Sequence, residues 1–157
     1  MSGHELAMAL RRTYLAMHRR TDALLVRVGV TADQFVVLTA LSEGDALTQR
    51  ELVSRTSSDP NTLRAMLVLL EGQGLVERTP HPTDGRARSV SLTRNGRSTF
   101  KKAWRRSESL RTQLVDALPK DAVRRLVTRL RTLADVIERD GMERVEPPRR
   151  LSIGTTS

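Results

Sequence analysis

A mainly α-helical fold with one small β-hairpin (α+β) is predicted by three observations. Long apolar stripes at helical spacing occupy both ends of the chain. An Asp-Pro pair starts a helix in the middle. A turn-rich segment leads into four residues that alternate polar and apolar. The 157 residues are enough to bury a core without cross-links. Cysteine is absent, which excludes disulfides, thiolate metal sites and thiol-based redox sensing.

Residues 5–28 read as a long helix. Leu6, Leu10, Tyr14, Met17, Leu24 and Val28 fall near one face, and Arg11, Arg12, Arg19, Arg20 and Asp22 elsewhere. Gly29 stops it. Thr31 caps a second helix with Phe35, Leu38 and Leu41 inward, ending at Ser42-Glu43-Gly44. Thr48 caps a short third helix, with Glu51 at the capping-box position and Leu52 and Val53 as apolar contacts. Thr56 to Asp59 is a turn. Asp59 then supplies a side-chain acceptor at the N-cap and Pro60 the first helical residue. That helix runs to about Gly72 with Leu63, Met66, Leu67 and Leu70 inward.

Leu75 to Arg78 is extended, residues 79–85 are turn-rich, and Ser89 to Leu92 alternate as a half-buried strand does. Together they make a hairpin with a long basic tip. Thr93 caps a further helix whose stripe is Phe100, Ala103, Trp104, Ser107, Leu110, Leu114 and Leu118, broken by Pro119. A last helix, about 120–139, carries Val123, Leu126, Val127, Leu130, Leu133, Ala134 and Ile137 opposite Arg124, Arg125, Arg129 and Arg131. Gly141 and Pro147-Pro148 are expected to end regular structure, leaving 140–157 as a flexible tail. Tyr14 and Trp104 are expected in the core, and His18 on the surface or at a partner interface.

Three helices, a hairpin and two closing helices describe a winged helix-turn-helix with long terminal helices. The expected division is 1–30, an N-terminal dimerisation helix; 31–97, a winged domain with its reader helix at 60–72 and wing at 75–92; and 98–139, C-terminal dimerisation helices. The terminal stripes exceed what so small a module needs. The simplest partner is a second copy, with Leu6, Leu10, Tyr14, Leu126, Leu130, Leu133 and Ile137 at the interface.

Charge sharpens the reading. Lys and Arg number 27 against 18 Asp and Glu, a net of +9 that suits a polyanion partner. Its distribution is uneven: 43–77 holds 3 basic and 6 acidic residues, 78–97 holds 5 and 1, and 98–139 holds 11 and 5. Aromatics are 3%, too few for base-stacking recognition of single strands. On a duplex, Asn61, Thr62, Arg64, Ala65 and Val68 would face the major groove. Arg64 can bridge guanine O6 and N7, Asn61 can pair an adenine edge, and Ala65 and Val68 can touch thymine methyls. The free N–H groups at that helix's N-terminus would favour phosphate. Thr48 and Gln49 can reach phosphates, and Asp84, Arg86 and Arg88 sit at the hairpin tip with Arg86 aimed at a minor groove.

No motif for catalysis, metal binding or a cofactor is present, so none is expected: His4, His18 and His81 are scattered and no phosphate-cradling loop occurs. No apolar run is long enough for a membrane span and no signal peptide is evident, so the expectation is a cytoplasmic protein.

The stretches Leu47-Thr48-Gln49-Arg50-Glu51-Leu52, Asp59-Pro60-Asn61-Thr62-Leu63, Gly74-Leu75-Val76-Glu77-Arg78 and Asp84-Gly85-Arg86-Ala87-Arg88-Ser89-Val90-Ser91-Leu92-Thr93, with Gly96 after them, resemble the MarR (multiple antibiotic resistance regulator) family of bacterial transcriptional regulators. The resemblance in order and length spans roughly 5–139. It implies a homodimer with interlocked terminal helices, repression through a pseudo-palindromic operator, and release by a small aromatic or anionic effector bound between the dimerisation and DNA-binding parts. Arg11, Arg12 and Arg20 are candidate counter-charges there, in a cleft between the first, second and fifth helices. By position, Asp84 and Arg86 match the family's wing D-x-R, Asn61, Thr62, Arg64 and Ala65 its base-reading stretch, and Thr48 a phosphate contact. The chain departs from the pattern where the family favours basic or polar residues: Ala65, Val68 and Leu69 are apolar, Gly85 stands where an arginine is common, and Thr56-Ser57-Ser58 replaces an apolar, glycine-containing turn. Those departures admit an alternative, a winged-helix protein-interaction module or an antagonist of another regulator.

Overall fold

The structure, a computed structural model, describes residues 2–44, 46–81, 83, 85 and 88–143. Two compact units part between Thr112 and Gln113. The first contains α1 (Gly3–Leu25), a 3-10 turn at Val26–Val28, α2 (Ala32–Ser42), β1 (Leu47–Thr48), α3 (Gln49–Thr56), α4 (Pro60–Gly72), β2 (Val76–Pro80), β3 (Arg88–Leu92) and α5 (Arg94–Arg106). α6 (Glu108–Asp116) crosses the boundary, and α7 (Lys120–Glu143) lies in the second unit.

Capping chemistry sets the helix starts. Ser2 with Glu5, Thr31 with Gln34 and Thr48 with Glu51 each close a reciprocal capping box, satisfying donors that the first turn cannot pair internally. α4 begins at the Asp59 cap and Pro60 and ends at Gly72, as the sequence predicts.

The wing is larger than the expected hairpin. β1 adds a third strand in the order β1-β3-β2, pairing Leu47 with Val90 and Thr48 with Ser89. Two residues carry no readable alternation, and Thr48 is also committed as a helix cap, so β1 leaves no trace in the sequence. β3 is therefore central, which buries Ser89 between Thr48 and Thr79 although alternation would turn it outward. Leu25, Val37, Leu38, Leu41, Leu52, Leu63, Leu67, Leu70, Val90 and Ala103 build one core. Leu25, at the end of α1, is fully buried in this core.

Two close approaches fix α5. Thr93 caps it through Gly96 N (2.9 Å), and its hydroxyl donates to the Gly74 carbonyl (2.6 Å). Gly96 then lies so near the residue that leads into β2 that a Cβ there would collide with the Leu75 carbonyl oxygen. The helix does not continue unbroken to Pro119 as its apolar stripe predicts. Buried Ser107 donates to the Ala103 carbonyl (2.9 Å). Arg111 donates to Ser107 Oγ (2.6 Å) and to the Trp104 carbonyl (2.8 Å), the acceptor that Glu108 N would take in a continuous helix.

Other expectations are corrected. Gly141 does not end the last helix, which runs on to Glu143; the rest of the expected tail lies outside the described residues. Tyr14 and Trp104 are 53% and 43% exposed, because the apolar stripes of α1 and α5 are wider than the core they meet. His18 ties α1 to α2: its Nε2 lies 3.1 Å from Asp33 Oδ1 and its Nδ1 3.4 Å from Asp22 Oδ2, while Asp22 accepts from Ala32 N at 2.6 Å. Among the described residues no single helix is long and apolar enough to cross a membrane.

Gly96→Ala should lower the unfolding free energy by on the order of 3 kcal/mol, read from urea unfolding, because the obstacle is backbone. Ser57 closes α3 in the left-handed region at φ 51°. Ser57→Gly should raise the free energy by roughly 1 kcal/mol in the same assay.

Candidate nucleic-acid interface

The first turn of α4 is closed by the chain's own groups. Pro60 has no N–H. Asp59 Oδ2 accepts from Asn61 N and Thr62 N (3.0 Å each) and from the Thr62 hydroxyl (3.3 Å), and the Asp59 carbonyl accepts from Leu63 N (2.9 Å). The expected free N–H groups are thus already paired with the chain's own carboxylate, and this terminus has no spare donor for a phosphate. The Asp59 carboxyl is held below its ordinary pKa, mainly by the Thr62 backbone N–H.

The outward strip forms as predicted. Asn61, Thr62, Arg64, Ala65 and Val68 are all exposed, opposite buried Leu63, Leu67 and Leu70. Val68 and Leu69 are 58% and 60% exposed, large values for apolar side chains. Arg64 Nη1 donates to Asn61 Oδ1 at 3.4 Å, orienting the pair along the helix. From Asp59 to Gly72 the only cation is Arg64, set against Asp59 and Glu71, and Glu71 is 3.4 Å from Arg78 on β2.

Neighbouring candidates divide. Thr48 is half-buried and its hydroxyl is engaged twice: it accepts from Glu51 N (3.2 Å) and lies 3.1 Å from Glu51 Oε2. Glu51 also accepts from Thr48 N at 2.7 Å, which lowers its carboxyl pKa. The cap therefore leaves Thr48 little capacity for a phosphate. Gln49 is half-buried at the start of α3, and Arg88 is exposed on β3 at the tip end of the wing. Asp84 and Arg86 lie outside the described residues.

Among the described residues, no cluster of three or more His, Asp or Glu side chains could hold a metal ion. A cavity of about 480 Å³ opens between α2, α3 and α5, lined by Phe35, Val36, Thr39, Ala40, Glu43, Arg55 and Trp104. Phe35 and Trp104 stand 6.4 Å apart, and the Arg111 guanidinium covers the Trp104 ring at 3.7 Å. Arg11, Arg12 and Arg20 are exposed on α1 and do not line it. The cation at the cavity is Arg55, a residue with no sequence signal, because its place at the cavity depends on how α3 packs beside α2 and α5.

The MarR family model matches residues 28–87, the span from the end of α1 to the wing. An HTH-type transcriptional repressor of Mycobacterium tuberculosis is 32% identical over 98 residues, covering 62% of this chain and 70% of that one. The chain belongs to the MarR family. This MarR-family regulator also resembles the transcriptional repressor CouR bound to a 23-mer DNA duplex, at 29% identity and TM-score 0.72, covering 85% of this chain and 98% of the other. It is similar too to BpsR of Bordetella bronchiseptica, whose DNA binding is regulated by 6-hydroxynicotinic acid. There the identity is 27% and the TM-score 0.74, over 82% and 92% of the two chains.

The depressed Asp59 pKa fixes a sign. Its stabilising contribution is complete above the unfolded-state carboxylate value, about 4, and is lost as pH falls through the lower folded-state value. Asp59→Asn keeps the cap without that titration. The unfolding midpoint of wild type relative to Asp59→Asn should therefore fall as pH drops from about 6 to 3. A constant difference would mean that the carboxylate does not hold this turn.

Proposed function

We propose that this chain acts as a homodimeric transcriptional repressor, occupying a pseudo-palindromic operator with one α4 in the major groove of each half-site. The observation that carries this reading is the exposure of the complete outward strip of α4 on a winged unit whose core is already filled. Terminal helices with uncovered apolar side chains support the dimer: Leu6, Leu10 and Tyr14 on α1, and Leu126, Leu130 and Ile137 on α7 are exposed, with Leu133 half-buried. In this reading Arg88 meets backbone phosphate, and the wing residues Asp84 and Arg86 reach the flanking minor groove.

The cavity between α2, α3 and α5 is the proposed effector seat. Two aromatic rings, the Thr39 hydroxyl and the Arg55 guanidinium suit a planar aromatic anion, and Glu43 at the same wall disfavours a doubly charged one. Arg55 is on α3, a short turn before Asp59, so an occupant meets the element that precedes the reader helix. No residue is given a catalytic role in this reading.

The test begins with mass. Light scattering should give two chains per particle, and Leu10→Asp with Leu130→Asp should yield monomers that lose operator affinity. Arg64→Ala should cost roughly 1–3 kcal/mol at one base pair and relax preference there. Arg86→Ala should weaken binding across sequences and flatten the salt dependence by about one phosphate. A monomeric wild type, or full affinity in Arg64→Ala, would contradict the proposal. A salicylate-type anion should weaken DNA binding by wild type but not by Arg55→Ala; equal effects on both would remove the cavity from the account.

A further inference from the structure

We propose that α4 recognises its half-site chiefly through thymine methyl groups, with Ala65, Val68 and Leu69 as specificity-determining side chains and Arg64 as the single charged reader. This rests on the placement of α4 in the major groove proposed above. At 100° per residue, Asn61, Ala65 and Val68 lie along the midline opposite Leu63, Leu67 and Leu70, and Leu69 flanks them on the side of Thr62. The part of the helix that points most directly away from the core is therefore apolar beyond its first turn.

Three features of the same helix leave little else for it to read with. Its N-terminal N–H groups are consumed by Asp59. Arg64 is outnumbered by Asp59 and Glu71, so the segment is not drawn into the groove by its own charge. Asn61 Oδ1 accepts from Arg64 (3.4 Å), so the amide that could pair an adenine edge is shared with the neighbouring guanidinium.

Among the major-groove edges, the thymine C5-methyl is the one apolar group. Valine and leucine pressed against it remove apolar surface on both sides from water. Cytosine carries hydrogen in place of that methyl, so the same side chains would bury less apolar surface against it. The discrimination thus has a definite sign, for thymine and against cytosine. Three side chains are also a small patch beside the roughly 800 Å² per partner of a stable protein interface, and they are continuous with Asn61, Thr62 and Arg64. Duplex DNA is the occupant this patch fits.

The experiment selects binding sites from a random-sequence duplex pool with the full-length protein. Thymines of the selected site are then replaced one at a time by deoxyuridine, which lacks only the methyl group. Affinity should fall about fourfold at two or three positions of each half-site. In Val68→Ala the penalty at one of those positions should shrink while the others persist; Val68→Thr, which keeps one methyl on a side chain of the same shape, should retain part of it. A selected site insensitive to every deoxyuridine replacement would overturn the thymine reading while leaving the repressor proposal standing. Failure to select any site would overturn both and favour a protein partner for α4.

Discussion

The Asp59 side chain decides where α4 begins and what that helix can offer. An aspartate followed by proline is a strong start because the proline needs no partner and the carboxylate satisfies the next two N–H groups. The same pairing removes the positive end of the helix as a phosphate site. A neutral cap such as serine would have left the dipole less compensated. Here the local optimum for folding and the usual electrostatic use of a helix terminus conflict, and folding prevails. The chemistry left on α4 is one guanidinium, one amide partly engaged with it, and an apolar shelf.

Around that helix the scaffold is fixed by contacts that tolerate little change. The Leu75 carbonyl sits where any side chain on residue 96 would be, so the start of α5 is pressed onto the wing. At the other end of α5, Ser107 and Arg111 close the helix, and the guanidinium packs on the Trp104 ring. Trp104 is also a wall of the cavity, whose other side is Arg55 on α3. α3 runs into Ser57, held in the left-handed region, and two residues later the Asp59 cap begins. Arg55 at the cavity, Ser57 in the left-handed region and the Asp59 cap of α4 are thus close together along the chain.

Much of this was legible in the sequence, and the reasons differ by element. Thr31, Thr48, Asp59 and Thr93 announced their helices because capping depends on local chemistry alone. The inward stripe of α4 was legible because a 3.6-residue period survives in thirteen residues. β1 was not, since two residues have no period and their pairing partner is more than forty positions away. The break at Ser107 was hidden because apolar periodicity continued through it, and only the arginine four residues later completes the bonds that end the helix. Arg11, Arg12 and Arg20 looked like effector counter-charges from a helix order alone. The cation that lines the cavity between α2, α3 and α5 is Arg55, and only the packing of α3 against α2 reveals it.

The proposed repressor places two copies of α4 in the wide groove of one duplex. Dimethyl sulfate methylates guanine N7, an atom exposed only in that groove, so methylation interference on a selected operator addresses the claim without mutating the protein. Two clusters of interfering guanines, centred about 34–36 Å apart on one face of the duplex, are the expected result. A single cluster, or binding that is unchanged by N7 methylation and disturbed only by minor-groove modification, would contradict it.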